Sequence, residues 1–203
     1  MAEFEMSLPD DRLISLLERQ GFRELVSAHL FAAGVLLAPS IDDKHMLADH
    51  AREELGHFEV VAAIYEKLTD RPLHEAVRER AAAIPTPGTW LEAAVAGFLI
   101  DRAAASQLLE YKNTDDARVS SIIDEITEHE HEHMSATGTA LLDQCRGKPQ
   151  AAKPAQAHLA RWFEIAESLL DHSAKTGDSR AAKAFVESVK PTLAACGLSL
   201  PHS

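Results

Sequence analysis

Aromatic residues are scarce in this chain, with two Trp, two Tyr and seven Phe among 203 residues. Strand-forming patterns with period-two alternation are missing as well, which argues against a β-rich fold. Cysteine is nearly absent. Cys145 and Cys196 stand alone, without the close spacing of a zinc or iron–sulfur site, and read as buried or free thiols of a reducing cytosol. No apolar run approaches the ~18 residues that a membrane span needs. The first eleven residues lack a basic stretch followed by an apolar one, so the expectation is a cytoplasmic protein without a signal peptide. Positive charge is also short. Twenty Lys and Arg face 32 Asp and Glu, and the net charge of −12 repels phosphate, which argues against nucleic acid as a partner. A glycine-rich nucleotide loop is missing too, so no flavin or nicotinamide site is expected.

The composition that remains favours helices, being rich in Ala and Leu, with 46% hydrophobic and 26% charged residues. The length suits one domain, 1–203. Asp10 and Asp11 open a first helix whose stripe runs through Leu13, Leu17, Glu24, Ala28, Phe31 and Val35 and stops at Ala38-Pro39-Ser40. A second helix covers about 41–68, with Leu47, His50, Glu54, His57, Val61 and Ile64 on one face. A long connection, 69–89, holds Pro72, Pro85, Pro87 and Gly88, with a short helix around 73–83. A third helix starts near Trp90 and carries Gly97, Asp101 and Ala105, and 113–116 reads as a turn. The fourth carries Ile123, Ile126, Glu130, His133 and Thr137 and ends at Gly147-Lys148-Pro149; Val119 and Ile122 extend its stripe. Two further helices are expected around 155–175 and 179–195. The fold class is therefore all-α, a ferritin-like four-helix bundle of two helical hairpins with a long crossover and added C-terminal helices.

The chemistry lies in repeated Glu-x-x-His spacing, which occurs three times, at Glu54/His57, Glu128/His131 and Glu130/His133. Glu24 and Glu54 are 30 residues apart, centred on Pro39; Asp101 and Glu130 are 29 apart, centred on Asp115-Asp116. Each half of the chain thus offers one carboxylate, a turn, and a Glu-x-x-His at a matching level. A two-metal site in a helical bundle requires one carboxylate from each of two helices and Glu-x-x-His from the other two. Periodicity selects the register on the fourth helix. Glu130 and His133 continue the stripe of Ile123 and Ile126, whereas Glu128 and His131 share a polar face with Asp124, Glu132 and Ser135. Glu128, His129, His131 and Glu132 are therefore outer residues. The expected metal ligands are Glu24, Glu54, His57, Asp101, Glu130 and His133. Four buried carboxylates need compensating charge, which two divalent ions supply, and a mixed carboxylate and imidazole set suits iron or manganese. Ala28, Gly97 and Ala105, one turn from these ligands, leave room for a substrate or else let the helices pack closely.

Several stretches carry a family likeness. They are Arg23-Glu24-Leu25, Ala38-Pro39-Ser40, Glu53-Glu54-Leu55-Gly56-His57, Trp90 through Gly97 to Asp101-Arg102, Glu130-x-x-His133, Ala160-Arg161-Trp162-Phe163, Phe185-Val186-Glu187 and Gly197-Leu198-Ser199-Leu200-Pro201. In these the chain resembles the phenylacetic acid catabolic family, and within it the di-iron catalytic subunit of bacterial phenylacetyl-CoA epoxidase. That resemblance implies the same six metal positions. Two departures stand out: the family's catalytic subunit continues beyond the final Gly-Leu-x-Leu-Pro stretch, and His129 occupies a place where such sites commonly hold an acid. A weaker likeness, through Arg52-Glu53-Glu54 and His57-Phe58, is to the tRNA-modifying di-iron hydroxylases, against which the net charge and Asp101 count.

Together these features imply an enzyme, a non-haem di-iron monooxygenase with two Fe ions (or Mn) and O2 as co-substrate. It hydroxylates or epoxidises a small organic substrate, an aromatic acyl-CoA ester being one candidate. Electrons must come from an external reductase, and the chain works with a partner subunit or as a homo-oligomer, without membrane or nucleic acid. The alternative is a ferritin-like protein that oxidises and stores iron or removes peroxide.

Overall fold

The computed structural model describes residues 10–111, 117–170 and 180–201, apart from some side chains between 110 and 128. The described part is helical: α1 (Asp10–Leu37), α2 (Ile41–Thr69), α3 (Leu73–Ala82), α4 (Trp90–Tyr111), α5 (Ala117–Cys145), α6 (Pro149–Leu169) and α7 (Arg180–Ala195). The expected turn at 113–116 lies outside the described residues, as do the side chains of Val119, Ile122 and Glu128. Helix α6 begins one and a half turns earlier than Pro154 suggests. Pro149 sits at its start, where the missing N–H is no loss, and the helix continues through Pro154 because Ala155 and Leu159 just beyond are fully buried.

Local chemistry sets the ends. Ser40 caps α2, its hydroxyl accepting from the Asp43 backbone N–H at 3.0 Å, and Asp42 and Asp43 complement the helix dipole in the first turn. Helix α7 closes at Gly197 (φ 70°), with Leu198 N–H donating to Leu193 C=O at 2.9 Å and Gly197 N–H to Ala194 C=O at 3.1 Å.

Helices α1 and α2 form one hairpin and α4 and α5 the other; the two pack face to face through α1 with α4 and α2 with α5. Helix α3 lies on α1, while α6 and α7 cover α4. Contact with α3 depends on Gly21: a Cβ there would stand 2.5 Å from Leu73 Cδ2. Helix α4 is apolar on nearly every side, with 94–104 buried throughout, because neighbours cover it all round. Cys145 and Cys196 are free thiols, both buried beneath the C-terminal helices.

One buried acid pins α6 to the start of α4. Glu92 Oε1 accepts from Trp162 Nε1 and from Arg161 Nη1, both at 3.1 Å, and its Oε2 accepts from Gly88 N–H at 2.9 Å. Trp162 is fully buried, so its indole N–H has water as no substitute. Glu92→Ala is expected to destabilise the chain by about 1–3 kcal/mol, and Glu92→Gln, which keeps an acceptor, by less. Urea unfolding followed by circular dichroism measures both.

Candidate metal centre

The bundle interior between α1, α2, α4 and α5 is acidic. Glu24, Glu54, His57, Asp101, Glu130 and His133 are all 0–2% exposed. Helix α2 brings Glu54 and His57 to one face, and α1 supplies Glu24. His57 Nδ1 lies 3.4 Å from Glu24 Oε2 and 3.6 Å from Glu54 Oε2. From α5, His133 Nδ1 stands 2.9 Å from Glu54 Oε1, without the alignment of a hydrogen bond. Two groups have donor atoms within 4.8 Å of one another, close enough to hold an ion: Glu24–Glu54–His57 and His50–Glu53–His133. Asp101 and Glu130 fall in neither group. They lie close by, since each feels the charge of His133, and Glu130 also those of Glu54, Asp101 and Glu24.

The first hairpin brings Glu24 beside Glu54, as expected about its turn, and beside His57 as well. Glu24 meets His57, and Asp101 Oδ2 accepts from Thr137 Oγ1 at 2.8 Å. Arg102 Nη2 donates to Met134 C=O at 3.1 Å. Glu24 thus reaches about one turn past Glu54, to His57, and Asp101 bonds Thr137, one turn past His133. The cause is the lean of helical side chains toward their own N-terminus. On the first helix of a hairpin that direction is away from the turn; on the second it is toward it.

Several neighbours complete the arrangement. Gln20, one turn before Glu24, donates to Glu24 Oε1 and is itself held by Arg23 Nη2 at 2.9 Å. Glu53 Oε2 lies 3.0 Å from His133 Nε2. His129 Nδ1 lies 2.8 Å from His57 Nε2, with the two rings near-parallel and end to end. His50 packs its ring against His133, centroids 4.2 Å apart, and Phe31 meets both rings edge-on. His131 and Glu132 are exposed. The i−4 spacing of Gln20 and the position of Glu53 and His129 just before each Glu-x-x-His were the available signals for these partners.

Electrostatics dominate the interior. Burial raises Glu54 well above the carboxylate range, and the charge of Glu24 adds to it. Glu130 rises for the same reasons, pressed by Glu54, Asp101 and Glu24. Burial lifts Asp101 to about 6. Burial also opposes charge on Glu24, yet bonds from His57, Glu54 and Gln20 bring it below its usual value. In the same way the carboxylates of Glu24 and Glu54 outweigh burial at His57 and push it up to about 10. His50 falls to about 4 through burial and the charge of His133. Within the six expected ligands, five buried atoms have no aligned hydrogen-bond partner: Glu54 Oε1 and Oε2, Glu130 Oε2, His57 Nδ1 and His133 Nδ1; His50 Nδ1 beside them is another. Unpartnered carboxylate oxygens and imidazole nitrogens, buried together, fit a bound cation.

An apolar cleft lies beside this interior, separated from it by Phe31 and Thr137, which touch His133 and Asp101. It has a volume of about 20 Å³ and is lined by Phe31, Met46, Leu47, Trp90, Gly97 and Thr137, among others. Of the three small residues expected to open a space, Gly97 lines the cleft, where a Cβ would stand 3.3 Å from Thr137 Cγ2. Ala28 and Ala105 do not line it.

Above neutrality the shifts act on stability in one direction. His57 holds its proton in the folded chain up to about 10 but only to 6.5 when unfolded; its contribution is full below 6.5 and is lost as pH rises toward 10. Glu54 and Glu130, also raised, contribute a loss of the same sign that begins above 4.5. The metal-free chain is therefore expected to melt at progressively lower temperature from pH about 7 to about 9. Glu130→Gln, a neutral isostere, is expected to raise its melting point by a few degrees, at roughly 1 kcal/mol. Scanning calorimetry across pH checks both.

No curated protein matches the chain. The family described as phenylacetic acid catabolic protein matches residues 4–203, nearly the full length. An all-helical bundle with paired carboxylates and histidines in its interior, matched from end to end in this way, belongs to the phenylacetic acid catabolic protein family.

Proposed function

We propose that Glu24, Glu54, His57, Asp101, Glu130 and His133 hold a pair of iron ions, and that the chain is a single ferritin-like di-iron domain acting as a monooxygenase on a small organic substrate. The observation that carries this reading is the set of five buried donor atoms without hydrogen-bond partners, among four carboxylates that repel one another. Two divalent ions balance four carboxylate charges. The family match supports a role in aromatic acid breakdown, and an acyl-CoA ester of an aromatic acid is the first substrate to test.

Bound iron supplies the activation of O2; the chain does the rest. Gln20 donates to Glu24 Oε1 and leaves Oε2 facing His57. The Thr137 hydroxyl donates to Asp101 Oδ2 and fixes that carboxylate against α5. Glu53 accepts the proton on His133 Nε2, so that Nδ1 presents a lone pair. Phe31 covers His133 and His50 and keeps water from them. The cleft past Trp90 and Met46 carries no charged side chain, so the reacting end of the substrate is apolar. Its narrowness implies that the substrate enters as α2, α4 and α5 move apart at Leu47, Gly97 and Thr137. Without a cysteine cluster or nucleotide loop in the sequence, electrons come from a separate reductase.

Anaerobic loading with ferrous iron is expected to give about two irons per chain. Glu130→Ala or His133→Ala removes paired binding, while His131→Ala, on the exposed face, leaves it intact. Reductant-driven turnover under 18O2 is expected to place label in an aromatic product. Catalytic iron oxidation with mineral accumulation and no labelled product would instead make the chain an iron-storage protein.

A further inference from the structure

The two Glu-x-x-His segments are served by a crossed pair of contacts. The residue before each Glu reaches over the α2–α5 interface to the histidine of the other segment. Glu53, before Glu54, places Oε2 at 3.0 Å from His133 Nε2. His129, before Glu130, places Nδ1 at 2.8 Å from His57 Nε2. The geometry is the same on both sides, and the chemistry is not: one histidine is backed by a carboxylate, the other by an imidazole.

The consequences follow from proton placement. His133 and His57 both point Nδ1 into the acidic interior, at Glu54 Oε1 and at Glu24 Oε2 and Glu54 Oε2 respectively. For Nδ1 to offer a lone pair there, the ring proton must sit on Nε2 and be accepted from behind. Glu53 accepts it as an anion. Its charge-assisted bond is roughly twice as strong as a neutral one and makes the His133 ring a better donor to metal. His129 accepts through the neutral Nδ1 of its own ring, which confines the His129 proton to Nε2. The rings are near-parallel, at 19° with centroids 5.1 Å apart, the end-to-end placement that an in-plane N–H···N bond requires. His57 is therefore oriented as His133 is, but its backing group brings no negative charge.

We propose that His129 is the positioning residue of His57, and that this imidazole, standing where Glu53 stands for His133, makes the two metal positions unequal. The position served by His133 fills first; the one served by His57 fills second and releases its metal first. This inference rests on the paired-metal reading above and adds an order of occupancy to it.

Stepwise titration of the metal-free chain with Co2+ under anaerobic conditions, read by visible absorbance and calorimetry, tests it without any turnover. The wild type is expected to bind in two steps separated by at least about tenfold. His129→Glu is expected to tighten the second step by about 10–100-fold and leave the first unchanged. His129→Gln, whose amide oxygen still accepts from His57, keeps the second affinity within about threefold, whereas His129→Leu weakens it about tenfold or more. Glu53→Gln weakens the first step instead. Melting curves of the metal-free variants establish that each is folded; a variant that is not is replaced in the comparison by His129→Gln, which keeps the bond. Two equal steps in the wild type, or a second step that ignores both His129→Glu and His129→Leu, would overturn the inference while leaving the paired site in place. Fewer than two Co2+ per wild-type chain would overturn the paired site and this inference together.

Discussion

Four carboxylates buried side by side govern this molecule. Glu24, Glu54, Asp101 and Glu130 are each almost wholly removed from water, and in the bundle interior their charges repel strongly. The metal-free chain relieves this by holding protons: Glu54 and Glu130 are driven well above the carboxylate range, and His57 stays cationic between Glu24 and Glu54. Such an interior makes the fold less stable than an apolar one of the same volume. The surrounding structure offsets that, with α4 apolar on nearly all sides and α6 and α7 closing over it. Stability is drawn from the periphery and given up at the centre, as the proposed cation site requires.

The polar partners of the centre act on direction more than on energy. Gln20, Glu53, Thr137 and His129 each contact one of the six interior residues and fix which atom faces inward. All four are on the helices that carry the six residues, not on loops. A site built on helices is held more closely than one built on loops. Arg102 extends the same principle, stapling α4 to α5 through the Phe98 and Met134 carbonyls; a Cβ at Gly138 would come within 3.0 Å of its Nη2.

Much of this was legible in the sequence. Period-3.6 stripes located the long helices, and Ser40 and Pro39 marked the first turn because capping chemistry is local. The choice of Glu130 and His133 over the neighbouring His131 followed from the same periodicity, and the structure buries the former and exposes the latter. Three things escaped. The offset of Glu24 toward His57 and of Asp101 toward Thr137 comes from side-chain lean, which residue counting about a turn ignores. The start of α6 was masked by Pro154, whose local preference is overridden by the burial of Ala155 and Leu159. The unusual place of His129 before Glu130 was visible, but its contact with His57, 72 residues away in the chain, is supplied only by the fold. The cleft at Gly97 was half legible: the small residue was visible, but not that Thr137 would stand close enough to meet a Cβ there at 3.3 Å.

The central claim is that the acidic interior exists to hold two cations. Anomalous diffraction at the iron edge, from crystals of the chain loaded anaerobically with ferrous iron, tests it most directly. The account predicts two peaks per chain inside the bundle, bounded by Glu24, Glu54, His57, Asp101, Glu130 and His133. Iron found instead at the exposed His131 and Glu132, or an interior that stays without iron while its carboxyls keep their protons, would contradict it.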